Sequence, residues 1–224
     1  MPRLAKMAIC SLLAVSVAGC ADTREIDQAP AAKVEAPAKV EPAAPAKAVQ
    51  TVELKVDPAH STIGFLGAKV TRTHQGGFKD FDGSVTLAGD QVVGTRFTVQ
   101  TASLWADAEA MSEKLTGHLE SPEFFDVEKY PEATFTSSSL THEGDGPWDV
   151  KGNLALHGVD KEITFPATIT VTPEAVTAKA DFKINRSDWG LSYPGKPDDL
   201  IKEEVKISLD LSFPRKVGPA PAVE

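Results

Sequence analysis

Three segments in the second half of the chain alternate apolar and polar residues with a period of two. They cover residues 163–172, 176–184 and 205–213. Because successive side chains of a strand point to opposite faces, each segment predicts a strand with one buried and one solvated face. Strands of this one-sided kind are typical of antiparallel sheets. The short connection at residues 173–174 favours a hairpin between the first two strands.

The remaining pattern predicts further strands and one helix. Residues 106–119 are rich in good helix formers, and Met111, Leu115 and Leu119 repeat at four-residue spacing, which predicts a short helix that covers the sheet. Closure into a barrel removes exposed strand edges, and a barrel near eight strands can hold one small ligand. The pattern therefore predicts an all-β fold, an antiparallel barrel of about eight strands. The other strand segments cover residues 52–56, 63–65, 78–85, 93–99, 133–140 and 149–156.

The N-terminus has the features of an export signal. Arg3 and Lys6 precede an apolar run that is too short to span a bilayer. The run ends in Val-Ala-Gly before Cys20, which resembles the lipobox of bacterial lipoproteins. We therefore predict a lipoprotein signal peptide over residues 1–19, with lipid attached to Cys20. An ordinary secretory peptide cut near Ala18 or Ala21 is the alternative.

Acylation of Cys20 would fix the location of the protein. Several acyl chains give stable membrane anchoring, whereas one chain is marginal. We expect a protein anchored in the bacterial envelope and facing the periplasm. The outer membrane is favoured because Ala21, rather than Asp, follows the cysteine. Cys10 lies inside the predicted signal peptide, so the mature chain would have no second cysteine for a disulfide.

Composition divides the rest of the chain and limits its partners. Residues 20–50 are rich in Ala and Pro and predict a disordered tether. Residues 51–214 form the predicted barrel domain, and residues 215–224 a flexible tail. The 224-residue chain has a formal net charge of -9. That balance argues against nucleic-acid binding, which needs clustered basic residues.

Six short motifs occur in order along the predicted domain, and together they resemble the YceI-like family, a polyisoprenoid-binding, lipocalin-like family of periplasmic proteins. The resemblance implies an extended antiparallel lipocalin-like β-barrel around an apolar tunnel that binds a long amphipathic lipid such as a polyprenyl compound. Many members of the family are soluble, and this chain departs from them in its predicted anchor. The motifs are DPAHS (57–61), GFKDFDG (77–83), LESPEFFD (119–126), YPEATF (130–135), GNLALHG (152–158) and NRSDWG (185–190).

The predicted inner face mixes large and small apolar residues, which is compatible with a lined cavity for a lipid. Pattern alone equally allows these side chains to fill the barrel as an ordinary core; the resemblance favours a cavity. A bound isoprenoid, of polyprenyl or quinone type, is thus the expected ligand. The candidate lining residues are Phe65, Phe97, Val99, Phe135, Ile163, Phe165, Ala167, Ile169, Ala178, Ala180, Phe182, Ile184, Ile207 and Leu209.

Two polar or amphipathic residues follow a predicted strand end and are candidates for the rim. Arg186 could contact a ligand head group or pair with an acid, and Trp189 could close the barrel or pack as a buried indole. The structural role is favoured for both. Phe124, Phe125 and Tyr130 are interpreted first as a hydrophobic cap on the barrel and second as a tunnel entrance.

The sequence carries no motif for catalysis or metal binding. The five histidines show no metal-ligand spacing, and nucleophile elbows and phosphate-binding loops are absent. His60 and His157 are expected to hydrogen-bond the backbone at turns. We predict no enzyme, no metal and no cofactor. The main hypothesis is a lipid-binding protein that carries or sequesters an isoprenoid in the envelope, and the alternative is a structural or interaction module with a filled barrel.

Overall fold

A computed structural model describes residues 21–37, 50–107, 112–144 and 146–215. This part of the chain is mostly strand. Its helices are α1 (Arg24–Gln28) and α2 (Ser112–Glu120). Its strands are β1 (Lys33–Glu35), β2 (Thr51–Lys55), β3 (Thr62–Lys69), β4 (Arg72–Phe78), β5 (Phe81–Ala88), β6 (Gln91–Gln100), β7 (Leu104–Ala106), β8 (Glu132–His142), β9 (Trp148–Leu156), β10 (Val159–Val171), β11 (Ala175–Asn185), β12 (Gly195–Lys196), β13 (Asp199–Leu200) and β14 (Glu204–Pro214).

One antiparallel sheet contains nearly all of these strands and curls around an apolar interior. Its order is β2-β5-β6-β8-β9-β10-β11-β14-β3-β4-β7, with β1 added beside β10, while β12 and β13 form a separate ribbon. The predicted extended antiparallel lipocalin-like barrel is confirmed. The predicted count of about eight strands is too low. Strands of two or three residues, such as β1, β7, β12 and β13, are too short to show alternation in the sequence.

The three alternating segments form β10, β11 and β14, as predicted. β11 and β14 pair without interruption over eleven positions, from Ala175↔Pro214 to Asn185↔Glu204. β10 and β11 pair over only four positions, from Thr168↔Lys179 to Val171↔Val176. Beyond those four positions the two strands are no longer paired with each other, and another segment of the chain occupies the space between them.

That segment consists of residues 21–37, which we call the N-terminal strap. Its strand β1 pairs with β10, with Val34 opposite Ile163. On the other side, the Lys183 N–H of β11 donates to the Pro30 carbonyl over 2.9 Å, and the Ala32 N–H donates to the Lys183 carbonyl over 2.8 Å. The strap thus completes the sheet between β10 and β11.

The strap corrects the prediction of a disordered tether. Residues 20–50 were expected to be extended, but α1 and β1 lie within them, and the Ile26 side chain is fully buried. Residues 38–49 lie outside the described part of the chain, as does the predicted signal peptide. Because Ala and Pro dominate this stretch, its composition does not indicate which few apolar residues make tertiary contacts.

The covering helix is present but starts later than predicted. α2 begins at Ser112, and residues 108–111 are outside the described part of the chain. Ala106, predicted as helical, belongs to β7 and pairs with Gly76 of β4. Among the described residues, no helix has both the length and the apolar character that crossing a membrane requires.

Candidate functional site

A cavity of about 720 Å³ occupies the interior of the curled sheet. Its volume falls in the range of roughly 300–1,000 Å³ that is typical of small-molecule sites. All fourteen apolar residues that the sequence placed on the inner face line this cavity. They come from β3, β6, β8, β10, β11 and β14, so the cavity is a product of the whole sheet rather than of one hairpin.

One end of the cavity is closed by apolar side chains. Val85, Val92, Val176, Leu211 and Phe213 line the cavity here, and each is buried. They belong to one core cluster, and the rings of Phe97 and Phe213 meet edge to face with centroids 6.0 Å apart. We call these five residues the closed end.

Aromatic rings line the middle of the cavity. Phe165 of β10 and Phe182 of β11 stack with centroids 4.2 Å apart and an interplanar angle of 14°. Phe135 of β8 packs against Phe165 at 5.7 Å. The stacked pair bridges β10 and β11 where the strap separates their backbones, so it joins the two strands from the inside of the sheet.

Glycines opposite two of the cavity phenylalanines make room for their rings. Gly83 pairs with Phe97, and Gly76 pairs with Phe65. A Cβ atom on either glycine would overlap the ring of its partner. Gly76 therefore lies inside β4, where close approach is needed, and does not form the turn or bulge that a Gly-Gly pair also permits.

The opposite end of the cavity is polar. Ala68 O accepts a hydrogen bond from the Lys202 N–H over 2.8 Å, and the Val70 N–H donates to Leu200 O over 3.1 Å, so the β3–β4 hairpin and the segment around β12 and β13 lie side by side. Thr95, Lys179 and Arg186 also line the cavity, but we do not count them as part of the rim. The polar rim comprises Lys69, His74, Lys114, His118, Tyr193, Lys196, Asp199 and Lys202.

Asp199 is held by the tip of the β3–β4 hairpin. The Lys69 ammonium pairs with one of its carboxylate oxygens, and the Thr71 hydroxyl donates to the other over 2.9 Å. These hydrogen bonds, the one from Lys69 above all, hold the pKa of Asp199 below its usual value. The pair fixes the ribbon of β12 and β13 against the hairpin.

An aromatic contact brings α2 to the same end. The ring of His118 meets Tyr193 at 5.1 Å and Phe124 at 5.0 Å, and both contacts are edge to face. Its Nε2 atom lies 2.7 Å from a carboxylate oxygen of Glu123. Phe124 and Phe125 both line the cavity, as a cap or a tunnel entrance would, while Tyr130 instead packs on His157.

The four rim lysines differ in whether they form an ion pair. Lys69 and Lys202 form ion pairs with Asp199 and with Asp27. Lys114 and Lys196 form no ion pair with any residue that the structure describes. The rim thus offers two ammonium groups to the polar end of a ligand, beside the Tyr193 side chain.

Arg186 connects the two segments on either side of the β12–β13 ribbon. Its guanidinium donates to the carbonyls of Leu191, Tyr193 (2.9 Å), Ile201 (3.4 Å) and Lys202 (3.2 Å). Burial lowers the pKa of Arg186, but arginine remains charged at any physiological pH. Because its N–H groups already bind these carbonyls, contact with a ligand head group would require breaking them.

Trp189 is fully buried and is not among the residues that line the cavity. Its indole N–H donates to the Leu154 carbonyl over 3.2 Å, and its own carbonyl lies 3.1 Å from His157 Nδ1. This contact confirms the expected backbone hydrogen bond of His157. The expectation for His60 is wrong, because its Nδ1 contacts the Asp57 carboxylate at 2.8 Å.

Most of the chain matches one family model. The model described as the YceI-like domain matches residues 54–213. The chain belongs to the YceI-like family. The N-terminal strap lies before the matched residues, so in this member the family domain is completed by a segment from outside it.

Curated relatives and solved structures agree with this assignment. A UPF0312 protein of Pseudomonas putida strain W619 is 35% identical over 140 residues, which cover 59% of this chain and 71% of the relative. BcnA of Burkholderia cenocepacia is 22% identical, with a TM-score of 0.58 over 70% of this chain and 98% of its own. A polyisoprenoid-binding domain from Saccharophagus degradans is 17% identical, with a TM-score of 0.57 over 74% of this chain and 99% of its own.

The YceI-like motifs have structural roles around the cavity. NRSDWG forms the 3-10 turn with Arg186 and Trp189, where the Asn185 side chain accepts a hydrogen bond from the Ser187 N–H. GNLALHG ends in the β9–β10 turn, where His157 and Gly158 both have positive φ, of 51° and 75°.

Among the described residues, no group of three or more His, Cys, Asp or Glu side chains is placed to hold a metal ion.

The rim cations and the strap are not predicted by the sequence patterns. Lys114 and Lys196 come from different segments, and only the fold brings them to the same end of the cavity. Neither segment carries a pattern that marks its lysine. The strap offered one weak signal, the Val34 and Ile26 positions in an otherwise Ala-, Pro- and charge-rich stretch.

Proposed function

We propose that this protein binds a long isoprenoid-type lipid, such as a polyprenyl or quinone compound, and carries or sequesters it in the bacterial envelope. The observation that supports this best is the asymmetry of the cavity, with a closed apolar end and a polar rim. An isoprenoid has the same asymmetry, because a long hydrocarbon chain ends in one polar group. The hydrocarbon chain of the ligand would lie toward Val176 and Phe213, and its polar group would lie at the rim.

The energetics favour a hydrocarbon ligand. Each buried methylene contributes about 0.8 kcal/mol, so a long chain can bind well with few hydrogen bonds. The Saccharophagus degradans neighbour is described as polyisoprenoid-binding, which supports the same class of ligand here. A filled barrel, the basis of the alternative interaction module, would not leave a cavity of about 720 Å³.

The proposal assigns no catalytic residue. The rim histidines His74 and His118 contact Asp107 and Glu123 at 2.6 and 2.7 Å, so the first pair connects β4 to the residue after β7 and the second connects α2 to the turn that follows it. We further propose that Cys20 is acylated, which would place the protein on an envelope membrane facing the periplasm, with the outer membrane favoured.

Native mass spectrometry of a chain produced without residues 1–19 tests the proposal. The Cys20→Ser variant, which cannot be acylated, would be purified without detergent, and any bound molecule would be extracted and identified. We expect one polyprenyl or quinone molecule per chain, and its loss in an Ala178→Trp variant. A mass equal to that of the polypeptide alone, with no uptake of added isoprenoids, would contradict the proposal.

A further inference from the structure

Ion pairs also fix the N-terminal strap to the neighbouring part of the sheet. Asp27 pairs with Lys202 at 2.7 Å, and Glu25 pairs with Lys206 at 3.3 Å. Lys206 lies directly opposite Lys183 across β11 and β14, a like-charge pair that acidic neighbours must offset. Burial alone would lower the pKa of Lys206, but hydrogen bonds with Asp181 and Glu25 raise it.

The strap begins at the polar rim. The Ala21 N–H donates to the Val70 carbonyl over 3.1 Å, and the Val70 N–H in turn donates to the Leu200 carbonyl over 3.1 Å. A second cavity is lined by Ala21, Thr23, residues 68–70 at the end of β3 and residues 200–202 at the end of β13. In the sequence, Ala21 directly follows Cys20, the proposed site of acylation.

Exposed apolar side chains surround the point where the strap begins. Val70 and Leu200 are 50% and 52% exposed, and they are two of the four large apolar side chains that stand out in the described part of the chain. The other two, Val52 and Val93, lie on β2 and β6, away from Ala21. Apolar exposure at the rim is therefore concentrated beside Ala21, where the strap begins.

Basic residues lie next to this apolar pair. Arg72 follows the tip of the β3–β4 hairpin, and Lys196 lies in the ribbon beside Leu200; both are exposed, as is the acidic Asp198. Apolar side chains flanked by cations are the combination that binds the surface of a membrane with anionic lipids.

We propose that Val70 and Leu200 form a membrane-contact surface that turns the polar rim toward the bilayer, in a protein anchored by the proposed acylation. The inference rests on the proposed acylation but goes beyond the proposed lipid binding. The strap, instead of letting the domain move freely on a long linker, holds its rim at the membrane. A lipid can then pass between the bilayer and the cavity without crossing open water.

Depth-dependent fluorescence quenching tests the orientation. The processed, acylated chain would be reconstituted in vesicles of phosphatidylethanolamine and phosphatidylglycerol with brominated acyl chains. A polarity-sensitive label would be attached in the variants Val70→Cys, Leu200→Cys, Val52→Cys and Val93→Cys. With Cys10 removed and Cys20 acylated, each variant has one reactive thiol. We expect at least twofold quenching at positions 70 and 200 and none at positions 52 and 93.

A strap variant separates orientation from anchoring. Ile26→Asp places a charge in the buried site of the strap, so position 70 should lose its quenching while the chain stays in the vesicles. Equal quenching at all four positions, no quenching at 70 and 200, or an unacylated Cys20 would each overturn the inference. Protection of position 70 from aqueous iodide without quenching by the lipid would also overturn it, because a second copy would then cover the surface.

The readout does not depend on a bound isoprenoid. Quenching at position 70 in a chain that binds no lipid would support the membrane contact and contradict the proposed function. A chain that binds the isoprenoid but shows no quenching at position 70 would support the proposed function and contradict the membrane contact.

Discussion

The two ends of the cavity are built from the same sheet but in different ways. The closed end packs side chains that alternate along continuous strands, and its residues are nearly inaccessible to solvent. The polar rim is assembled from a hairpin tip, a short helix and a two-strand ribbon, joined by ion pairs and by the Arg186 guanidinium. The comparison suggests that stability resides at one end and ligand exchange at the other, since elements held by few buried contacts open most easily.

The largest effect is expected from a cavity at the closed end. Phe213→Ala removes a buried ring that packs on Phe97, and a change of this kind costs about 4 kcal/mol in the free energy of unfolding. Urea denaturation would measure it. Val52→Ala, at a strongly exposed position, is the matched control and should change stability by less than about 0.5 kcal/mol. A loss at Phe213 no larger than the control would mean that this end is not the stable core.

A somewhat smaller effect is expected at the rim. Arg186→Met keeps much of the side-chain volume but leaves the buried carbonyl of Leu191 without its donor, at a cost of about 3 kcal/mol. Amide hydrogen exchange should accelerate over residues 191–202 more than at Val176. Lys196→Met, which removes an exposed rim cation, is the control. Uniform acceleration throughout the sheet would show that the two ends are not energetically distinct.

The inner face beside the closed end should control how far a lipid enters the cavity. Ala178→Trp places an indole where the cavity is lined by a methyl group, and it should weaken isoprenoid uptake at least tenfold, or about 1.4 kcal/mol. Thr168→Trp places the same side chain on the exposed face of β10 and should leave uptake unchanged. Equal uptake by a folded Ala178→Trp variant would contradict the assignment of the inner face.

The smallest expected effect is a response to acid at the rim. Hydrogen bonds from Lys69 lower the pKa of Asp199, and those from Lys202 lower the pKa of Asp27. A lowered pKa in the folded state gives a stabilisation that is present above the unfolded value of 3.8 and is lost as the pH falls through the folded value. Hydrogen exchange between about pH 5 and pH 2 should show the strap and rim loosening before the closed end. Simultaneous loosening would contradict this order.

The sequence predicted the apolar inner face of the cavity far better than the rim. Strict alternation marks Phe165, Ala178 and Leu209 as inward-facing, because the period of a strand fixes which face each side chain occupies. The rim follows no period. The carbonyls bound by Arg186 come from residues five to sixteen positions further along the chain, and no local pattern encodes that contact.

The structure of the strap could not be predicted from its composition either. Its residues resemble a disordered linker, since apolar content is low and Pro is frequent. Ile26 and Val34 are nevertheless buried or partly buried, because β10 and β11 separate and leave a place for them. That separation is a property of the whole sheet, so single-sequence patterns could not predict it.

The most direct test of the account is the orientation of a bound isoprenoid in the cavity. An isoprenoid with a photoreactive group at the hydrocarbon terminus would be bound to the Cys20→Ser chain and cross-linked, and the modified residues would be mapped by mass spectrometry. The account predicts cross-links at the closed end, to Val85, Val176 or Phe213, and cross-links at the rim when the photoreactive group is moved to the polar end. Cross-links from the hydrocarbon terminus to Lys114 or Lys196, or to the outer face of the sheet, would contradict it.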